Sequence, residues 1–232
     1  MKLAIMQPYL FPYLGYFQLV AAVDKFVFYD DVNFIKNGWI NRNRVLLGGE
    51  PRYFTVPLSG ASPNLRINQV LVVPDNAWRG RLCQSLRQAY ARAPHFQAVN
   101  ELFTNVIHTD DMRISEIAKR SVVVVAAYLG LRTEFVSSSA IYANDALRGV
   151  DRVLDICQHE KASVYVNLPG GRTLYDEAKF TAADIDLRFI EPHLAVYHQC
   201  DPAFHAGLSI LDVLMFNAPS DAALLLVPDS SG

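Results

Sequence analysis

Apolar residues follow two rhythms along this chain, short dense runs and stripes at helical spacing, and their alternation predicts strands and helices in turn. Leu3 to Gln7 is a run dense enough for a short buried strand, and Pro8 to Pro12 breaks it into a turn. From Gly15 to Val23 the apolar side chains of Tyr16, Leu19, Val20 and Val23 recur on one helical face. Lys25 to Tyr29 reads as a second strand that ends in Asp30-Asp31. Strand, helix, strand is the opening of an α/β sheet, whose ligands sit at the carboxyl ends of the strands.

Between Trp39 and Val73 the rhythm changes to short β-like runs, Arg44 to Leu47, Tyr53 to Pro57 and Val70 to Val73, parted by Gly48-Gly49 and by Ser59 to Asn64. These predict a β-hairpin insert. Three helices are then predicted over Trp78 to Ala91, Phe96 to Ile107 and Ile114 to Leu129, the first two divided by Pro94 and the last ended by Gly130. The α/β alternation resumes with a strand at Thr133 to Ser137, a helix at Leu147 to Glu160 and a strand at Ser163 to Asn167. A short helix at Tyr175 to Phe180, a strand at Leu187 to Ile190 and a helix at Leu208 to Phe216 complete the pattern. The expected fold is a Rossmann-like, mostly parallel α/β sheet with a β-hairpin and helical insertion over 38–130. One domain is expected over 1–227, followed by a disordered tail at 228–232.

Composition narrows the classes. With 51% hydrophobic and 19% charged residues in 232, the chain has the balance of a globular protein and enough length to bury a core without disulfides. A net charge of −2 and the lack of a long basic run argue against DNA binding. Three cysteines without C-x-x-C spacing indicate neither a disulfide framework nor a zinc site, which points to a reducing cytoplasm. The run that starts at Val122 is flanked by Lys119-Arg120 and Arg132 and is too short for a membrane span, and the prolines near the start argue against a signal peptide.

The chemistry candidates gather at strand ends. Asp30 and Asp31 leave a strand together, where one acid can serve as general base or amine anchor; a turn pair that caps the next segment is the plain reading, and both stand. Lys36 and Arg42 nearby favour a charged ligand. Trp39, Asn41, Arg42 and Asn43 offer a ring, amides and a guanidinium for bidentate recognition, with the two asparagines on one face of a strand. Gln7, Tyr9, Tyr13 and Tyr16 are expected to shape the floor of the pocket. Pro169-Gly170-Gly171 after a strand can turn backbone N–H groups toward an anion, with Tyr175 beside it, although a tight turn explains the glycines as well. The six histidines include no H-x-x-x-H or H-E-x-x-H pair, so no metal or cofactor is expected. His193, His198 and His205 share a stretch with Cys200, and a Cys200–His nucleophile is the less favoured option.

Three segments, Met6 to Phe17 (M-Q-P-Y-x-F-P-Y-x-G-Y-F), Asp24 to Asn43 (D-x-F-V-x-Y-D-D-V-x-F-x-K-x-x-W-x-N-R-N) and Phe204 to Asp212 (F-x-x-x-L-S-I-L-D), together resemble the WbqC-like family nearly end to end. Members of that family typically lie among polysaccharide and O-antigen genes, and the resemblance implies transfer of an amino acid, glycine in particular, to an amino sugar. The matching positions are Gln7, Tyr9, Gly15, Tyr16, Asp30, Asp31, Lys36, Trp39, Asn41, Arg42 and Asn43, with Ser209 and Asp212 on the last helix. The chain departs from the family pattern at Leu82, where histidine is common, and at Ala218-Pro219, where glycine is common.

The reading that follows is an acyltransferase, aminoacyl in type. Its donor is a carrier-protein thioester or an aminoacyl-tRNA, and its acceptor is an amine of a sugar or small metabolite. Asp30, Asp31 and Lys36 are the expected catalytic residues, with Arg42 and Asn41 helping Lys36 to hold the activated carbonyl or its phosphate-bearing handle. The alternatives are a nucleotidyl-transfer or adenylate-forming enzyme and a noncatalytic scaffold for a carrier protein or glycosyltransferase.

Overall fold

The computed structural model describes residues 1–201 and 203–227; the tail expected at 228–232 lies outside them. Its centre is a parallel sheet of β1 (Lys2–Met6), β2 (Lys25–Phe28), β7 (Glu134–Val136), β8 (Val164–Asn167) and β9 (Asp186–Phe189), in the order β7-β2-β1-β8-β9. The strands run outward from β1 on both sides, as in a doubly wound fold, so the direction of winding reverses between β1 and β8. The ladder is short at that seam. β1 pairs with β2 over four residues, from Leu3↔Lys25 to Met6↔Phe28, but with β8 only at Lys2↔Val164 and Leu3↔Tyr165. Beyond Leu3 the two strands part, and the gap between them is the mouth of a crevice.

Both faces of the sheet are covered, which explains why its strands read as dense apolar runs rather than as alternating patterns. Ala4, Phe26, Phe28 and Val166 look into the larger core, shared with α1 (Leu14–Ala21), α3 (Phe96–Ile107) and α4 (Ile114–Tyr128). Leu3, Ile5, Val27 and Tyr165 look the other way, onto α5 (Gly149–His159) and Phe180 of α6 (Glu177–Ala182). This is the expected mixed α/β fold with a parallel sheet.

The insertion between β2 and β7 differs in detail from the expected hairpin. β3 (Arg42–Leu47) and β4 (Glu50–Thr55) form it through a two-residue turn in which Gly48 and Gly49 have φ of +64° and +78°, the conformation that suits the twist of paired strands. The third run does not join them. Leu71–Val72 (β6) pairs instead with Leu58–Ser59 (β5) as a separate two-stranded sheet. α2 (Ala77–Tyr90), α3 and α4 follow as predicted. The helix expected from Tyr175 starts later because Tyr175 is extended and the Asp176 carboxylate caps the Ala178 N–H at 3.0 Å. Ile210–Phe216 (α7) and Pro219–Leu224 (α8) close the described chain, and periodicity had not revealed the second of these.

The turn after β1 is held in a conformation that its residues do not favour. Phe11 is fully buried with φ of +41°, outside the usual range for a bulky side chain. Its N–H donates to Ser121 Oγ at 2.8 Å, and its carbonyl accepts from Asn43 Nδ2 at 2.8 Å and Ser209 Oγ at 2.7 Å. Asn43 also reaches the Leu10 carbonyl at 3.1 Å, Leu10 N–H donates to the Trp39 carbonyl at 2.9 Å, and Ile210 N–H donates to Pro12 at 2.8 Å. Asn43→Ala should therefore leave buried carbonyls short of donors and destabilise the protein by about 2–3 kcal/mol, measured by chemical denaturation.

Candidate active site at the switch point

The gap between β1 and β8 opens into a crevice of about 710 Å³. β1 contributes Ile5, Met6 and Gln7, and β8 with its following turn contributes Asn167, Leu168, Gly170 and Gly171. Tyr9 and Tyr13 come from the strained turn, Trp39 from the approach to the hairpin, Asn43 and Arg44 from β3, and Tyr29 and Tyr175 from the far wall. Each position follows from the fold: strand ends at a winding reversal point their last residues into one space.

The floor beside Gly171 is tightly built. Residues Pro169–Leu174 form a 3-10 helix rather than an open loop, and a Cβ on Gly171 would stand 3.0 Å from Asn167 Nδ2 and 3.1 Å from Tyr175. Asn167 itself is fixed by its Oδ1, which accepts from Leu168 N–H at 2.7 Å, and by Nδ2 contacts of 3.1 Å to Tyr165 Oη and 3.3 Å to Tyr175 Oη. Gly15 is equally constrained: a side chain there would meet the Tyr13 ring at 2.5 Å and Pro192 at 2.6 Å.

On the outer wall, cations and rings alternate. Arg42 lies over Tyr53 at 4.5 Å, Tyr53 is 6.2 Å from Trp39, and Arg44 lies 5.7 Å from Trp39 on the crevice side. Arg42 is further tied to the Gly38 carbonyl at 3.2 Å and to Asn37. Stacked on Tyr53, it is not among the residues that line the crevice.

The lining is almost neutral. Among the described residues Arg44 is its one charged side chain, and it includes no carboxylate, imidazole or thiol. Burial pushes the phenols of Tyr9, Tyr13 and Tyr29 above their ordinary value, and Tyr175 likewise, so at neutral pH they are uncharged hydrogen-bonding groups rather than bases. The Gln7 amide and the Tyr9 and Tyr13 hydroxyls have no side-chain hydrogen-bond partner among the described residues, which leaves them free for a ligand.

Eight residues expected in the site from sequence do line the crevice: Gln7, Tyr9, Tyr13, Trp39, Asn43, Gly170, Gly171 and Tyr175. The other six lie elsewhere. Tyr16 is fully buried in the core, where its hydroxyl donates to the Gln7 carbonyl at 2.9 Å. Asn41 bonds the Val56 carbonyl at 2.9 Å, Arg42 lies over Tyr53, and Lys36 is exposed.

Asp30 and Asp31 point away from the crevice into two buried ion pairs. Asp30 accepts from Lys119 Nζ of α4 at 2.9 Å and from Ser138 Oγ at 2.6 Å. Asp31 pairs with Arg152 of α5 at 2.5 Å and accepts from Ser139. Arg152 lies 5.0 Å over the Tyr29 ring, so Asp31 bears on the crevice through that arginine. Arg44, Asn167 and Tyr29 went unforeseen. Asn167 was legible as the last residue of a strand before Pro-Gly-Gly, and Arg44 as the next cation after Arg42.

A second, shallower depression of about 490 Å³ is lined by residues that include Tyr197, His198, Gln199 and Cys200. Among the described residues Cys200 has no hydrogen bond to His198 or His205, and burial raises its thiol pKa, so it is not poised as a thiolate. Beneath it, Asp212 is fully buried and accepts from Tyr90 Oη at 2.6 Å, Tyr197 Oη at 2.7 Å and Gln199 Nε2 at 2.9 Å. Burial outweighs those bonds and raises its carboxyl pKa above the ordinary 3.8.

A doubly wound α/β protein with an aromatic, nearly neutral crevice at its switch point is the class that fold and site define. The WbqC-like protein family matches residues 7–223, and the chain belongs to that family. It is 28% identical over 223 residues, 95% of each chain, to an uncharacterized protein of Mycobacterium tuberculosis strain ATCC 25618 / H37Rv. No solved structure matches the chain significantly. Among the described residues no helix is long and apolar enough to cross a membrane, and no group of three or more histidine, cysteine or acidic side chains is placed to hold a metal.

Two expectations follow. Asp31→Ala should cost about 3–5 kcal/mol by leaving the buried Arg152 without its carboxylate, whereas Asp31→Leu combined with Arg152→Met should recover most of that loss in denaturation experiments. The raised pKa of folded Asp212 means that its stabilising contribution is fully present below the unfolded pKa and fades as pH rises through the folded one. As pH rises across the acidic range, Asp212→Asn should therefore gain stability relative to the unaltered protein, read as the difference between their unfolding free energies.

Proposed function

We propose that the switch-point crevice is the active site of an acyltransferase that moves an aminoacyl-type group from an activated donor to an amine of a sugar or small metabolite. The observation that supports this is the lining itself, which has neutral hydrogen-bonding groups on aromatic walls and no histidine, cysteine, aspartate or glutamate. Such a lining lacks a covalent nucleophile and a resident strong base. It suits direct attack by an amine on a carbonyl that arrives already activated.

In that step the amine lone pair forms the C–N bond, the C–S bond of a thioester or the C–O bond of an aminoacyl ester breaks, and the amine proton leaves on the departing sulfur or oxygen. Apolar walls favour the neutral, nucleophilic form of the amine by desolvation. The Gln7 amide is free to donate to the developing oxyanion, and the rings of Trp39 and Tyr13 hold the two reactants together. Ile35 and Leu174, exposed at 54% and 69% beside the crevice, give a macromolecular donor a surface to approach. Asp30 and Asp31 act in this scheme as anchors of the sheet's carboxyl end.

The test incubates the protein with glycyl and other aminoacyl thioesters and a panel of amino sugars, and searches by mass spectrometry for an amide. An amide should form, and Gln7→Ala should slow it roughly 100-fold without lowering the melting temperature. Absence of amide from every donor rejects the transferase reading, and turnover indifferent to Gln7→Ala and Trp39→Ala moves the site elsewhere.

A further inference from the structure

Arg44 sits in the crevice in a state that a protein rarely leaves uncorrected. Its Nε is buried without an acceptor, the only buried side-chain nitrogen or oxygen so placed among the described residues. Among the described residues the guanidinium makes one hydrogen bond, from Nη2 to the Gly207 carbonyl at 3.3 Å, and no ion pair with a carboxylate. The Trp39 ring, 5.7 Å away, shields one side. The buried cations Lys119 and Arg152 each meet an aspartate, and the buried Arg79, which meets none among the described residues, has acceptors for its Nε at Asn76 Oδ1 (3.1 Å) and for its Nη1 at the Ile107 carbonyl (2.7 Å). A desolvated guanidinium with an idle N–H costs stability, and an incoming oxyanion removes that cost.

The geometry of the vacant group specifies the ligand. Nε and Nη2 form the side-on fork of a guanidinium, which matches two coplanar oxygens. The crevice supplies one positive charge, so it balances a single negative one and leaves a dianion undercompensated. We infer that the crevice receives a ligand bearing one carboxylate, held side-on by Arg44, with the body of the ligand against Trp39 and the tyrosines. Resting on the transferase reading, this makes the acceptor an amine that also carries a carboxylate, such as an amino acid or an amino sugar acid.

The probe of this subsite is phenylacetate, with 2-phenylethanol and phenyl phosphate as matched controls, titrated into the intact protein and followed by proton–nitrogen NMR of arginine Nε–H groups. The Arg44 resonance, identified by its loss in Arg44→Met, should shift saturably with phenylacetate and not with the alcohol. Phenyl phosphate should bind roughly 10-fold more weakly than phenylacetate or worse. An unmoved Arg44 signal, an equal response to the alcohol, or tighter binding of the phosphate overturns the assignment. Arg44→Met should also melt at or above the unaltered protein's temperature, because it removes an unpaired buried donor; a clear fall shows a structural role and rejects the inference. Carboxylate binding without amide formation defeats the transferase reading alone. Amide formation at undiminished rate in Arg44→Met, with a carboxylate-bearing acceptor, defeats this inference alone.

Discussion

Everything at the ligand-binding end of this molecule depends on the pinned turn after the first strand. A phenylalanine at φ of +41° is strained, and its ring alone does not hold it there; three hydrogen bonds to its own N–H and carbonyl do. Their partners, Ser121 in α4, Asn43 in β3 and Ser209 at the N-cap of α7, are far apart in sequence. The turn is therefore the point where sheet, hairpin and both helical regions are joined. It also sets Tyr9 and Tyr13 at the crevice, so packing and site share the same constraint. Rigid support of this kind lets a crevice hold neutral groups in register without ion pairs inside it.

Charge is sorted accordingly. The acids that leave β2 are turned outward onto Lys119 and Arg152, where each pair is enclosed and has a serine to complete its hydrogen bonding. Removing a carboxylate from the crevice and giving it a buried partner leaves the crevice with Arg44 alone. The ion pairs thus do two things at once, fastening β2 to the helices and keeping the ligand space free of negative charge.

Most of the fold was legible because strand and helix rhythms are strong where both faces of a sheet or one face of a helix are buried. The helix at Phe96–Ile107 stands where its stripe of apolar residues places it, and the five sheet strands differ from the expected runs by a residue or two. Short elements were less legible. Leu58–Ser59 has only two residues and Pro219–Leu224 only six, too few for a period to stand out. In the site, the strand-end rule found Gln7 and the glycines after β8, because position in an α/β sheet determines that. It did not show which way Asp30 and Asp31 turn. That choice was made by Lys119, 89 residues away from Asp30, and by Arg152, 121 from Asp31, and no local pattern in the chain records either partner.

The same long-range logic bears on the recurrent residues of the family pattern. Asn43 and Ser209 stand where a catalytic reading is tempting, beside an aromatic crevice, yet both donate to the carbonyl of Phe11. Tyr16 and Gly15 are bound to that turn in the same way, one through the Gln7 carbonyl and the other by leaving room for Tyr13. Four positions of the pattern are therefore accounted for by one strained backbone position and what it takes to hold it. Gln7, Tyr9, Tyr13 and Trp39 of the pattern, with Arg44 just beyond it, line the ligand space and make few bonds to the protein. These are the groups still open to a ligand, because a group already saturated by its own backbone has nothing further to give.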